Sequence, residues 1–179
     1  MPLDVLFLVY PGVTQLDFAA PAQLFALGGA QVRTTWKTRE PIPTDSGFAI
    51  VPTATLEECR KADLICVPGG LGCHDVMDDD EVLSWLRRLE PDSRYVTSVC
   101  TGSLILAAAG LLEGYRATSH WLWRDYLELF GAIPTDARVV KDRNRITGGG
   151  VTAGLDFGLA VLAEAEGPLA AGLVQLGAE

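Results

Sequence analysis

The sequence predicts a doubly wound α/β fold, a three-layer α/β/α sandwich around a mostly parallel sheet. Two observations predict it. Short apolar or β-branched segments bounded by turn residues are typical of buried strands, and they occur at residues 5–10, 32–36, 64–67, 95–99 and 117–119. Segments with apolar residues at three- and four-residue spacing alternate with them and predict helices at residues 16–27, 80–90, 103–109, 121–130 and 153–166. Apolar strands that alternate with amphipathic helices favour parallel pairing with helices on both faces.

Two further stretches, residues 42–52 and 138–147, each pair short β segments around a turn. We expect them to be hairpins that decorate the core. With 179 residues, 49% of them hydrophobic, the chain is long enough for one buried core and too short for two ordinary domains. The sequence therefore predicts a single domain over residues 1–179.

Charge and apolar runs exclude several classes of partner. Fourteen Lys and Arg against 23 Asp and Glu give a net charge of −9, which repels phosphate backbones and anionic lipids, so neither nucleic acid nor membrane is an expected partner. No apolar run reaches the roughly 18 residues that a membrane span needs. The first strand carries Asp4 and lacks a basic leader, and we expect a cytoplasmic protein. The irregularly spaced cysteines predict reduced thiols and no disulfide framework: Cys59, Cys66, Cys73 and Cys100.

The strongest functional motif is the segment 95–103, in which a predicted strand runs into Cys100, then a glycine-containing turn, then a helix rich in Ala and Leu. This is the pattern of a nucleophile elbow, which holds a reactive side chain on a strained backbone at the N-terminus of a helix. The helix dipole favours the thiolate form. The alternative is that Cys100 is a small apolar residue buried at the end of a strand.

Three other segments follow predicted strands or precede a helix, where ligands of parallel sheets collect. Pro68-Gly69-Gly70-Leu71 allows amides near Gly70 and at Thr101 to form an anion hole, although most such turns only reverse the chain. Asp17 stands at the start of the first helix, where it either handles protons or merely stabilises the helix dipole. The run Gly148-Gly149-Gly150 permits close backbone approach to a ligand or to the elbow. A dinucleotide fingerprint is not met.

The remaining candidates carry weaker signals. A zinc site built from Cys73, His74, Cys100 and His120 lacks the usual ligand spacings, so no metal is expected. Cys73-His74 is predicted to be surface loop. His120 is a candidate pocket residue, and of Trp121 and Trp123 at most one is expected to reach the pocket, because they lie on different helix faces.

Together with Ala117-Thr118-Ser119-His120-Trp121, these motifs resemble the ThiJ/PfpI superfamily, a cysteine-containing branch of the class I glutamine-amidotransferase-like fold, over nearly the whole chain. Within it, the combination is most similar to the isocyanide hydratase branch. Many relatives place a His directly after the nucleophile, where this chain has Thr101. The glyoxalase-like branch commonly has Glu at the position of Asp17, so Asp17 favours the hydratase branch.

The resemblance implies a flavodoxin-like sheet and a cofactor-independent enzyme that hydrates a small electrophile, an isocyanide, to an N-substituted formamide. It implies Cys100 as nucleophile, with a thioimidate intermediate, Asp17 as proton carrier and Thr101 as a catalytic neighbour. Substrate or oxyanion contacts are then expected at Gly70, Leu71, His120, Gly150 and Val151. It also implies a homodimer. Alternatives are a glyoxalase III or deglycase acting on 2-oxoaldehydes, and a redox sensor or ligand-binding relative of AraC-type regulators.

Overall fold

The computed structural model describes residues 2–179, in which an open seven-stranded sheet has helices on both faces. The strands are β1 (Asp4–Leu8), β2 (Gln31–Trp36), β3 (Ile42–Pro43), β4 (Ala49–Ile50), β5 (Ala54–Thr55), β6 (Leu64–Val67), β7 (Tyr95–Val99), β8 (Arg116–Ala117), β9 (Ile133–Pro134), β10 (Val139–Asp142) and β11 (Arg145–Gly148). The helices are α1 (Gln15–Leu27), α2 (Cys73–Met77), α3 (Asp80–Leu89), α4 (Gly102–Ala108), α5 (Gly154–Glu166) and α6 (Pro168–Gly177). Short 3₁₀ segments occur at Glu90–Asp92, Arg124–Phe130 and Val151–Ala153.

The main sheet has the strand order β10-β11-β7-β6-β1-β2-β5. All neighbouring pairs are parallel except β10 and β11 at one edge, which are antiparallel. Taken in chain order, the strands β1, β2, β6, β7 and β11 are arranged 2-1-3-4-5, which is the flavodoxin-like order. The predicted fold class is confirmed.

The alternation of side chains along β1 shows how the sheet divides the core into two layers. Leu6 and Leu8 point to one face and pack in a cluster with residues of α3 and α4, including the fully buried Leu86. Val5 and Phe7 point to the other face, where they pack with residues of α1, α5 and α6. Because β1 is buried on both faces, its sequence is a continuous apolar run and not an alternating one.

Two strand predictions were wrong. The segment 138–147 forms the predicted antiparallel hairpin, but it is not a decoration, because β11 pairs in parallel with β7 and belongs to the central sheet. Its polar appearance comes from Arg145, which is only 3% exposed and whose guanidinium is neutralised by Glu90 at 2.6 Å and donates to the Leu111 carbonyl. The segment 117–119 is not a core strand: β8 pairs with β9 in a separate two-stranded sheet.

The helix expected at residues 121–130 is instead a turn followed by the 3₁₀ segment Arg124–Phe130. Within that segment Leu127 alone is buried, so too little apolar surface is covered to stabilise a regular α-helix. The hairpin predicted at 42–52 is confirmed, with β3 and β4 paired antiparallel. No helix within residues 2–179 is both long enough and apolar enough to span a bilayer.

Candidate active site

The carboxyl ends of four parallel strands, β1, β6, β7 and β11, bring the predicted segments together. The Cys100 amide, directly after β7, donates to the carbonyls of Gly148 and Gly149 at 3.1 and 2.8 Å. The Gly69 amide, after β6, donates to Asp17 Oδ2 at 3.0 Å. These bonds join segments that are far apart in sequence, as expected where strands of a parallel sheet end.

Cys100 occupies a strained corner between β7 and α4. Its φ is +56°, in the left-handed region, which costs a residue with a Cβ about 1–2 kcal/mol. The Cys100 carbonyl accepts hydrogen bonds from Ser103 Oγ at 3.1 Å and Ser119 Oγ at 3.0 Å. Helix α4 can begin immediately afterwards because Gly102 has no side chain: a Cβ there would lie 1.9 Å from the Val67 carbonyl oxygen. The strand-to-helix corner predicted from the sequence is therefore present, and its backbone is fixed from both sides.

The Asp17 carboxyl lies beneath this corner and is fully buried. Its Oδ2 atom accepts from Gly69, while no N–H or O–H group of residues 2–179 reaches the buried Oδ1 atom. The Cys100 thiol is close enough to this carboxyl that each side chain influences the pKa of the other. A buried carboxyl oxygen without a conventional donor is destabilising, and such an oxygen can be protonated and deprotonated without losing a hydrogen bond.

Burial has the largest effect on the pKa of both Asp17 and Cys100. It raises the pKa of Asp17 to about 7, opposed by the Gly69 amide and the Cys100 thiol and assisted by the nearby Asp45 carboxylate. It also raises the pKa of Cys100 to about 12, and the charge of Asp17 adds to the effect. The Thr101 amide lowers the pKa of Cys100 but does not outweigh burial. Burial opposes the effect of the helix dipole and favours the neutral thiol, and the two acids titrate as a coupled pair.

Cys100 is 5% exposed and opens into a cavity of about 270 Å³, whereas Asp17 lies behind the cavity wall. This volume is just below the usual range for drug-sized ligands and suits a small molecule. The cavity is lined by Thr14, Gly70, Leu71, Cys73, His74, Cys100, Thr101, His120, Leu122, Trp123 and Val151. A larger surface depression between α1, α5 and α6 is lined by Leu24, Leu155, Leu159 and other residues without a thiol.

Most of the predicted substrate contacts line this cavity, but two have different surroundings from those predicted. Gly150 is absent from the lining and supports His120 instead, since a Cβ there would lie 3.1 Å from the His120 ring. The Gly70 amide cannot serve an anion hole, because it donates to the Thr101 hydroxyl at 2.9 Å. The Leu71 amide has no acceptor within residues 2–179, so it is the next available donor of that turn.

The close approach of backbones at the corner depends on Gly69, the first member of the glycine pair in the predicted turn. A Cβ on Gly69 would lie 2.6 Å from the Thr101 nitrogen and 2.8 Å from the Cys100 Cβ. Such distances are not compatible with a side chain. The turn after β6 can therefore pack against Cys100 only because residue 69 is glycine. Gly70 does not pack against Cys100.

The prediction that Cys73-His74 forms surface loop was wrong in part, since His74 is exposed but belongs to a helix. Cys73 is 1% exposed, begins helix α2, and its thiol interacts with the Thr101 hydroxyl at the cavity wall. His74 lies against the Trp123 ring, with ring centroids 5.0 Å apart, and both line the cavity. Trp121 is 73% exposed, so one tryptophan of the two reaches the cavity, as predicted. The apolar residues that follow the glycine turn were the available signal for α2.

Fold and site define an α/β protein that carries a cysteine on a strained strand-to-helix corner beside a buried carboxyl. The profile of the DJ-1/PfpI family matches residues 4–164, and the chain belongs to that family. It is 49% identical to the isonitrile hydratase of Pseudomonas putida, over 98% of this chain and 78% of that protein. It is 28% identical to the HTH-type transcriptional regulator CdhR of Pseudomonas aeruginosa, over 94% of this chain and 52% of the regulator. The resemblance found in the sequence is confirmed.

A solved structure supports the same family assignment. The crystal structure of a ThiJ/PfpI family protein from Pseudomonas syringae superimposes with a TM-score of 0.96 at 49% identity, over 99% of this chain and 75% of that one. The architecture around the cavity is therefore one that relatives of this chain adopt.

Proposed function

We propose that this protein hydrates isocyanides, R–NC, to N-substituted formamides, with Cys100 as nucleophile and Asp17 as proton carrier. The observation that carries the proposal is the buried carboxyl beside a thiol that opens into a small cavity. The 49% identity to a protein named isonitrile hydratase supports this substrate class. The high pKa of the thiol means that the reaction needs a base, and Asp17 is the base in contact with it.

In the first step the Cys100 sulfur forms a bond to the terminal isocyanide carbon while the thiol proton moves to the Asp17 carboxylate. Asp17 then delivers this proton to the same carbon. The product is a thioimidate, R–N=CH–S, on Cys100. A carboxyl with a pKa of about 7 suits this exchange, because a general acid-base group is most effective when its pKa lies near the working pH.

In the second step water adds to the thioimidate carbon. Its oxygen bonds to carbon, and Asp17 takes one water proton and passes it to nitrogen, which gives the tetrahedral adduct R–NH–CH(OH)–S. The carbon–sulfur bond then breaks as the hydroxyl proton returns through Asp17 to the sulfur. The net reaction is R–NC + H₂O → R–NHCHO, and the thiol and the carboxylate are restored.

The cavity wall supplies the remaining contributions. The amide of Thr101 lies against the sulfur and lowers the pKa of Cys100, so it stabilises the anionic character that develops at sulfur during attack and departure. We propose that the free Leu71 amide binds the hydroxyl of the tetrahedral adduct. The apolar side chains of Leu122, Trp123 and Val151 would hold the R group.

The proposal includes a cytoplasmic homodimer that needs no cofactor. The four cysteines are free and buried, which fits a reducing compartment. Exposed leucines on α5 and α6 offer apolar surface for a second copy: Leu155, Leu169, Leu173 and Leu176. Sedimentation of the purified protein at several concentrations tests this part, and a monomer at all of them would contradict it.

The function is tested by offering purified protein an aryl isocyanide and, separately, methylglyoxal. Formamide is expected from the isocyanide. Cys100→Ala should abolish it and Asp17→Asn should lower the rate by at least about 100-fold, the lower end for a positioned acid-base group. Cys59→Ala is the matched control, because Cys59 is buried elsewhere and should leave the rate unchanged. Full turnover by Cys100→Ala would contradict the proposal, and lactate from methylglyoxal without any formamide would favour the glyoxalase alternative.

A further inference from the structure

One peptide group links a buried tyrosine to the Asp17 carboxyl. The carbonyl of Pro68 accepts a hydrogen bond from the Tyr10 hydroxyl at 2.8 Å. The N–H of the same peptide group belongs to Gly69 and donates to Asp17 Oδ2 at 3.0 Å. Tyr10 and Asp17 are both fully buried, so solvent does not compete for either bond.

We infer that Tyr10 is a positioning residue for the Asp17–Cys100 pair, acting through the Pro68–Gly69 peptide group. A hydrogen bond to a peptide oxygen polarises the group and makes its N–H a stronger donor, so consecutive bonds strengthen each other. The Tyr10 bond also fixes the plane of the peptide, which keeps the Gly69 N–H aimed at the carboxyl. Tyr10 is absent from the cavity lining, and it therefore acts on the pair without touching substrate.

The direction of the effect follows from the groups that face Asp17. The Asp45 carboxylate in the β3–β4 turn raises its pKa, and the Gly69 amide and the Cys100 thiol lower it. Cys66 on β6 stays neutral, because burial raises the pKa of its thiol. Tyr10 also stays protonated and able to donate, since burial raises its pKa well above the ordinary value.

Loss of the Tyr10 hydroxyl would therefore weaken the Gly69 hydrogen bond, which is the strongest interaction that favours ionised Asp17. The carboxyl would then hold its proton to higher pH. A cooperative strengthening of the Gly69–Asp17 bond by about 10–30% predicts a rise of the titration midpoint of about 0.1–0.7 unit. A purely structural role for Tyr10 predicts lower stability with an unchanged midpoint. The two readings are thus separated by a pH profile.

The test is an infrared titration of the Asp17 carboxyl in substrate-free protein, identified by its absence in Asp17→Asn. Tyr10→Phe should raise the midpoint. Tyr95→Phe is the matched control: it also removes a hydroxyl that donates to a distant carbonyl, that of Glu164 at 3.1 Å, and should leave the midpoint unchanged. An unaltered midpoint in folded Tyr10→Phe, or an equal shift in Tyr95→Phe, would overturn the inference.

If Tyr10→Phe does not fold, 3-fluorotyrosine placed at position 10 decides the matter. The fluorinated phenol is a stronger donor, so the midpoint should fall; no change or a rise would refute the inference. The inference rests on the proposed role of Asp17 as the base. The titration is read without turnover, however, so an enzyme that hydrates no isocyanide would overturn the proposed function and leave this result intact.

Discussion

The strain at Cys100 can be measured by comparing Gly with Ala at this position. Cys100→Gly and Cys100→Ala both remove the thiol and differ only in the Cβ atom. At the observed φ of +56° a Cβ costs about 1–2 kcal/mol, a penalty that glycine does not have. Glycine also loses packing and costs backbone entropy, and these two effects must be removed by a control.

Cys66 is the matched control, because it is buried in β6 and is not among the residues with a positive φ. There Gly should be less stable than Ala by about 0.5–1 kcal/mol or more. The Gly-minus-Ala difference in unfolding free energy should therefore be about 1–2 kcal/mol more favourable to Gly at position 100 than at position 66. Urea unfolding at fixed pH, with a shared slope, measures all four variants. Equal differences at both positions would refute the strained corner.

Three other substitutions test the surroundings of the pair. Asp17→Asn should remove a decline in stability with rising pH: the folded pKa is about 7 against an ordinary 3.8, so the contribution of Asp17 to wild-type stability is full below pH 3.8 and falls by roughly 4 kcal/mol as pH rises through 7. Gly69→Ala should lower the hydration rate by about 100-fold through displaced backbone, while Gly172→Ala, with open space around it, should gain about 0.5–1 kcal/mol and keep full rate. Ser119→Ala should cost about 1 kcal/mol, because the Cys100 carbonyl loses a donor.

Each of these predictions has a contrary outcome. Parallel stability curves for wild type and Asp17→Asn from pH 3 to 9 would show that the carboxyl is not perturbed by burial. Equal hydration rates for Gly69→Ala and Gly172→Ala would show that the Cys100 corner tolerates a displaced backbone next to it. Denaturation of Ser119→Ala at the wild-type urea midpoint would show that the hydroxyl does not support the Cys100 backbone.

The parallel core of the fold was predictable because its signals are local. The strands at 64–67 and 95–99 have the predicted bounds, and β1 is shifted by one or two residues. A run of apolar residues between turns is enough to identify a strand that is buried on both faces. In contrast, β11 was assigned to a decorating hairpin, because its turn with β10 is a local signal and its parallel pairing with β7 is not. The charge of Arg145 also hides the strand's burial. Its neutralisation by Glu90, 55 positions away, is visible only in the folded chain.

The site was predictable in its composition and less so in its electrostatics. Asp17 and Cys100 both follow parallel strands, and in the folded chain each influences the pKa of the other. The effect of burial on the pair was not predicted, since the helix dipole can be read from sequence and the degree of burial cannot. No role was predicted for Tyr10 or Ser119, for a related reason. The hydroxyl of each donates to a backbone carbonyl of a distant segment, and the sequence alone does not reveal that acceptor.

The most direct test of the account is to trap the bond between Cys100 and substrate. Wild-type protein mixed with an aryl isocyanide, quenched in acid at short times and digested, should show the peptide containing Cys100 heavier by the mass of one isocyanide. This species should decay at the rate at which formamide appears, and it should form far more slowly in Asp17→Asn. Formamide production with no modified Cys100 peptide at any time would contradict the account.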